Sequence, residues 1–155
     1  MGVAVMTSGP SLKTRALRYL ARREHSRLEL ERKLAPHAKT PEEISSVLDA
    51  LEQHGFLSAV RMVEQVITMR KRNFGSQRIV HELREKGIAE NLIAAALPNI
   101  KETEQDRARE VWRKKFGAAP ANAKELGRQT RFLMGRGFTP EVIRQVLRHV
   151  DEEEA

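Results

Sequence analysis

Acid–base or metal chemistry in this chain would have to come from its histidines and carboxylates, and their spacing does not support it. His25, His37, His54, His81 and His149 are scattered, and no two stand at the i, i+4 separation that sets a metal pair on one helix face. Glu102, Glu104 and Asp106 gather three carboxylates in five residues, a grouping open to a hard cation. They also open a helix, where acids complement the positive end of the dipole, and that role accounts for them. There is no cysteine, so disulfides, thiolate nucleophiles and cysteine-ligated zinc are excluded. The glycines stand singly at helix ends and form no phosphate-cradling loop. No enzyme, metal site or cofactor is expected.

The basic residues form the stronger pattern. Arg22-Arg23, Arg70-Lys71-Arg72 and Arg113-Lys114-Lys115 each fall at the end of a helical stretch. Cations there offset the negative end of the dipole by ~0.3–1 kcal/mol each, with no ligand required. That effect alone does not call for two or three adjacent cations, which spread their charge around the helix end. Arg27, Arg78, Arg128 and Arg131, with Arg32, lie on the helices that follow and would extend such a patch. The chain has 28 Lys and Arg against 21 Asp and Glu, a formal charge of +7, and four of the acids crowd into residues 151–154. A polyanion or an acidic groove is the partner this balance favours. Aromatics are only 5% of residues and are rarely interleaved with the basic clusters. Contacts to nucleic acid would therefore run through phosphates, weak, salt-sensitive and with little sequence preference. Trp112, with Val111 and Phe116, reads as core.

These residues need helices to position them. Period-2 alternation is nowhere sustained, whereas apolar residues recur three and four apart, as in Ile44, Val47, Leu48 and Leu51. Ser26-Arg27-Leu28-Glu29 and Thr40-Pro41-Glu42-Glu43 are capping boxes, and Thr103 to Asp106 is a looser one. Thr139-Pro140 keeps the cap and the N1 proline without the reciprocal Glu. Gly55, Gly75, Gly87, Gly117 and Gly137 each follow a helical stretch and are expected to close it in the left-handed conformation. Nine helices and an all-α fold result, and no apolar run approaches the ~20 residues of a membrane span.

The nine are three copies of one unit. Leu34, Leu83 and Leu133 are followed ten positions later by Ile44, Ile93 and Ile143, and fourteen later by Leu48, Leu97 and Leu147, at offsets of 49 and then 50. The third copy carries an extra small-residue loop over residues 118–124. A unit of ~50 residues buries too little surface to be secure alone, so copies should dock on neighbours as an elongated, curved row of nine helices. The division expected is a flexible leader over 1–11, three-helix repeats over 12–57, 58–100 and 101–150, and an acidic tail over 151–155. No signal peptide is recognisable, so a cytoplasmic protein is expected; a monomer is the expected state.

Several stretches resemble the RecX family. They are Ala16 through Leu34, opening Ala-Leu-Arg-Tyr-Leu-Ala-Arg-Arg; Leu51-Glu52-Gln53-His54-Gly55-Phe56-Leu57; Arg72-Asn73-Phe74-Gly75; and Leu83 through Ile88. The likeness runs over residues 12–150. Ser58-Ala59 stands where the family pattern has an acidic pair, so contacts made by that pair in relatives do not carry over. The resemblance implies three tandem three-helix units and a non-catalytic modulator of the RecA recombinase. Such a protein binds the RecA–DNA filament, with single- or double-stranded DNA as a secondary contact, and restrains strand exchange and ATPase in DNA repair and the SOS response. A second reading, a helix-turn-helix transcription regulator, rests on the turn Gly137-Phe138-Thr139-Pro140.

Overall fold

The structure, a computed structural model, describes residues 9–154. Nine α-helices make up the described residues: α1 Leu12–Arg22, α2 Arg27–Leu34, α3 Pro41–Gln53, α4 Ala59–Arg70, α5 Ser76–Glu85, α6 Glu90–Glu102, α7 Glu104–Lys115, α8 Ala123–Gly135 and α9 Pro140–Glu154. A 3-10 turn, Ala35–His37, follows α2. The expected leader lies outside the described residues as far as residue 8, and Ser11 at its end caps α1 through its Oγ on the Thr14 N–H. Asp151 to Glu154, expected as a tail, continue α9. The chain divides into two compact units between Met62 and Val63, inside α4.

The first unit is one repeat around Ala16, Leu30, Leu34, Ile44, Leu48, Leu51 and Leu57. Both of its capping boxes form as the sequence indicates: Ser26 Oγ accepts from Glu29 N–H while Glu29 accepts from Ser26 N–H, and Thr40 and Glu43 do the same. Arg27 fastens α2 to α3, reaching Asp49, Glu52 and Ser45.

His25 is buried beneath the Tyr19 ring, donating from Nδ1 to the Arg23 carbonyl at 3.1 Å while Lys33 Nζ lies 3.1 Å from Nε2. Desolvation, helped by the neighbouring Arg23 and Lys33 charges, holds its pKa below the ordinary 6.5. The unfolded chain thus takes up a proton before the folded one, so stability is full above about pH 6.5 and is lost as pH falls below it. Thermal melting should fall further between pH 7.5 and 5.5 for the parent than for His25→Gln. Equal losses would assign the acid sensitivity to other groups.

The second unit holds two repeats. One buries Ile79, Leu83, Ile88, Ile93 and Ile100 with Val63, Val66 and Ile67 of α4; the other packs Ala108, Val111, Trp112, Leu133, Phe138, Ile143, Val146, Leu147 and Val150. Trp112 is core, as its setting in the sequence indicates. Its indole N–H donates to Gln129 Oε1 at 2.7 Å, and Gln129 Nε2 donates onward to Ala118 O. Asn122, which the sequence reading passed over, caps α8 through Oδ1 on the Glu125 N–H.

The two repeats interlock at the start of α5, and here two expectations are corrected. Gly75 is extended, φ −88° and ψ 178°, and is the N-cap of α5 instead of a left-handed stop, whereas Gly55, Gly87, Gly117 and Gly137 do have positive φ. A Cβ on Gly75 would lie 2.5 Å from Gly137 O and from the Phe138 backbone, so glycine is required there for close approach. The first N–H groups of α5, which a helix cannot satisfy itself, find partners on the third repeat. Gly75 N–H donates to Arg136 O, Gln77 N–H to Gly137 O, and Ser76 N–H to the buried Glu104 carboxylate at 2.7 Å. Glu104 therefore caps another helix. Thr103 makes no cap of α7: its hydroxyl accepts from Arg107 Nε, whose guanidinium also donates to the carbonyls of Lys71, Phe74 and Ile100.

Candidate functional site

The structure sorts the basic residues by what faces them. Arg23 is paired with Glu29, Arg27 with Glu31, Asp49 and Glu52, Arg70 with Glu82, Arg113 with Glu110, and Arg128 with Glu125. The Arg113 guanidinium in turn holds the Glu110 carboxyl below its ordinary pKa, and Asp49 and Glu52 raise that of Arg27 against desolvation. These cations already have carboxylate partners, so a polyanion would gain less from them. Arg22, Lys71, Arg72, Lys114, Lys115 and Arg131 form no ion pair among the described residues. Arg78 stacks on the Phe74 ring, 4.6 Å from its centroid, and donates to Gly135 O.

Of the unpaired cations, the fold brings three to one place. Arg72, just beyond α4, meets Lys114 and Lys115 at the end of α7 in a cleft of about 240 Å³ between the second and third repeats. Phe132 and Arg136 of α8 and its cap line it, with Glu110 at its edge. Lys115 Nζ lies over the Phe132 ring, 5.3 Å from the centroid. Arg136 is the member that sequence reasoning missed. Its guanidinium sits over both Phe74 and Phe132, at 5.5 and 5.1 Å, and donates to Asn73 O at 3.2 Å. An arginine so stacked is held out of free rotation while its remaining donors stay available. The only cue in the sequence is a lone Arg before Gly137, which looks like an ordinary dipole partner.

Chemically the cleft offers converging cations on fixed backbone ends, three Lys or Arg side chains and a stacked guanidinium. That suits oxyanions of a phosphate or carboxylate. Arg128 and Arg131 lie elsewhere on α8 and do not line it, nor do Arg70, Lys71, Arg78 or Arg113. Arg22, Arg23 and Arg27 belong to the first unit. Among the described residues no group of three or more His, Asp or Glu is placed to hold a metal ion. No helix among them is long and apolar enough to cross a membrane.

Comparisons with known proteins agree with this architecture repeat by repeat. Residues 13–51 match the family model for the first three-helix domain of RecX, 60–97 that for the second and 102–147 that for the third. Regulatory protein RecX of Leptothrix cholodnii is 55% identical over 143 residues, 92% of this chain and 91% of that protein. Its counterpart from Ralstonia pickettii is 41% identical over 142 residues, covering 92% and 89%. In fold, the chain is similar to the crystal structure of RecX from Lactobacillus salivarius, with a TM-score of 0.78 at 18% identity over 90% of this chain and 94% of that one. With three consecutive domain matches and relatives this similar along nearly its whole length, the chain belongs to the RecX family.

Proposed function

We propose that the chain is a non-catalytic regulator that binds the RecA–DNA filament and restrains its ATPase and strand exchange, with its basic residues against phosphates or an acidic surface of the filament. Family membership supplies RecA as the partner, and the relatives it matches carry the name regulatory protein. The single structural observation behind the reading is the convergence of Arg72, Lys114, Lys115 and Arg136 on one cleft, with none of the first three in an ion pair among the described residues. The cleft is lined by one carboxylate, Glu110, which is engaged by Arg113. Arg22, Arg23, Arg27, Arg70, Lys71, Arg78, Arg113, Arg128 and Arg131 would contribute long-range charge.

The test is RecA ATPase on single-stranded DNA with increasing amounts of this protein, alongside imaging of the filaments. ATP turnover should fall in a saturable way, and protein should decorate filaments. Unchanged turnover at saturation together with bare filaments would remove the reading. Sequence-selective binding to duplex DNA at ~200 mM salt, where phosphate contacts alone are weak, would favour a transcription regulator instead.

A further inference from the structure

The three repeats place equivalent residues at the mouth of the groove between their second and third helices, and these residues have diverged in kind. At the offsets of 49 and 50, Arg27 corresponds to Ser76 and Leu126, Ser45 to Ala94 and Arg144, and Asp49 to Pro98 and Arg148. In the first repeat the groove is bridged from within: Arg27 of α2 reaches across to Ser45 and Asp49 of α3. In the second, the mouth is shared with the neighbouring repeat, since Ser76 is buried with its N–H on Glu104, and Thr139 lines the groove. In the third, neither device is present. Leu126 takes the arginine's place on α8, and arginines stand on α9 where the first repeat has a serine and an aspartate.

The result is an open apolar groove of about 570 Å³ between α8 and α9. Ile143 and Leu147 form its floor, and Leu126 and Met134, 46% and 51% exposed, form its wall. Arg144 and Arg148, one turn apart on α9, stand along the opposite edge and are exposed. Neither forms an ion pair among the described residues, whereas Arg27, Arg70, Arg109 and Arg113 all do. Two half-exposed large apolar side chains on one wall, facing two unpaired guanidiniums, give a surface apolar in the middle and positive at one edge.

From this we infer that the α8–α9 groove of the third repeat is a docking site for an acidic amphipathic helix of a protein partner. The 13 residues of α8 extend roughly 20 Å, a length matched by a partner helix of about four turns. Such a helix would lay apolar residues at i, i+3, i+4 and i+7 against Leu126, Met134, Ile143 and Leu147. Carboxylates along its edge would pair with Arg144 and Arg148, replacing from outside the α2–α3 charge pair that the first repeat makes internally. Arg144 and Arg148 set the polarity, because a basic edge there would leave two arginines facing like charge, and the partner's carboxylates must stop short of Asp151, which also lines the groove.

The test uses the full chain and two fluorescein-labelled peptides of about four turns, with leucines on one face and either glutamates or lysines along its edges. In fluorescence anisotropy the glutamate peptide should bind about tenfold more tightly than the lysine peptide. Arg144→Glu with Arg148→Glu should invert that order, and Leu126→Ser with Met134→Ser should weaken both peptides. The peptide comparison needs only the parent protein, so it stands even if a variant folds poorly. Equal binding of the two peptides, or no binding of the glutamate peptide at millimolar concentration, overturns the inference. So does a concentration-dependent dimer in sedimentation that Leu126→Ser abolishes, because a second copy would then own the groove. No RecA is present, so failure here leaves the filament reading to its own ATPase test.

Discussion

Gly137→Ala should lower the thermal midpoint of the second unit by on the order of 20 °C, read by circular dichroism or calorimetry. Two costs coincide at this position. Gly137 has φ +87°, a region that costs an L-residue about 1–2 kcal/mol. Its Cβ would also stand 2.3 Å from Arg78 Cβ and 2.6 Å from Arg78 N, and the latter is backbone that cannot swing aside. Overpacking of this kind adds about 1–3 kcal/mol, giving about 2–5 kcal/mol together. The shift must also disturb the bonds from Gly75 and Gln77 N–H to Arg136 and Gly137 O, which cap α5. Gly135→Ala supplies the control two residues away. That glycine is helical with nothing within 4 Å of an added Cβ, so alanine should leave stability unchanged or raise it by about 0.5–1 kcal/mol. Similar losses in the two variants would show that the close approach of repeats does not hold the unit together.

The same interlock shows where the sequence is readable. Local rules carry the helices: Ser26 with Glu29 and Thr40 with Glu43 form the boxes their spacing implies, because both partners lie within one turn. Repeat anchors are equally plain, since Leu34, Leu83 and Leu133 are all fully buried. The reading fails where a residue serves an element far along the chain. Gly75 follows a helical stretch like the other glycines, yet its requirement comes from Gly137 and Phe138. Glu104 sits in a first turn like any dipole partner, yet its carboxylate is committed to Ser76. Thr103 has a capping residue's identity, but Arg107 occupies its hydroxyl.

The basic residues divide in the same way. Composition identifies the clusters, but which cations are free depends on acids that the fold delivers. Arg70 and Arg72 are two residues apart and indistinguishable by type, and only Arg70 faces Glu82. Within Arg113-Lys114-Lys115, the first is turned to Glu110 one turn back, while the lysines line the cleft. Arg136 becomes part of the site only because Phe74 and Phe132, from different repeats, meet around it. Tandem repeats thus need not present their clusters one by one, because docking of the second repeat on the third merges parts of two of them.

That division makes the filament reading quantitative. Replacing Arg72, Lys114 and Lys115 together by Ala should flatten the salt dependence of binding to a single-stranded oligonucleotide. Each phosphate neutralised contributes about 0.7 to the slope of log K against log salt for a single strand, so the slope should lose about 2. Replacing Arg23, Arg70 and Arg113 by Ala removes the same formal charge from cations already paired with Glu29, Glu82 and Glu110. Its slope should stay nearer the parent's, because those cations would have to leave a carboxylate to meet a phosphate. Both triple variants change net charge equally, so a difference between them reports position rather than overall field. The first triple should also lose more of the inhibition of RecA ATPase than the second at physiological salt. Equal slopes would mean that the chain acts on polyanions only through its total charge, and the cleft would then have no claim to be the contact.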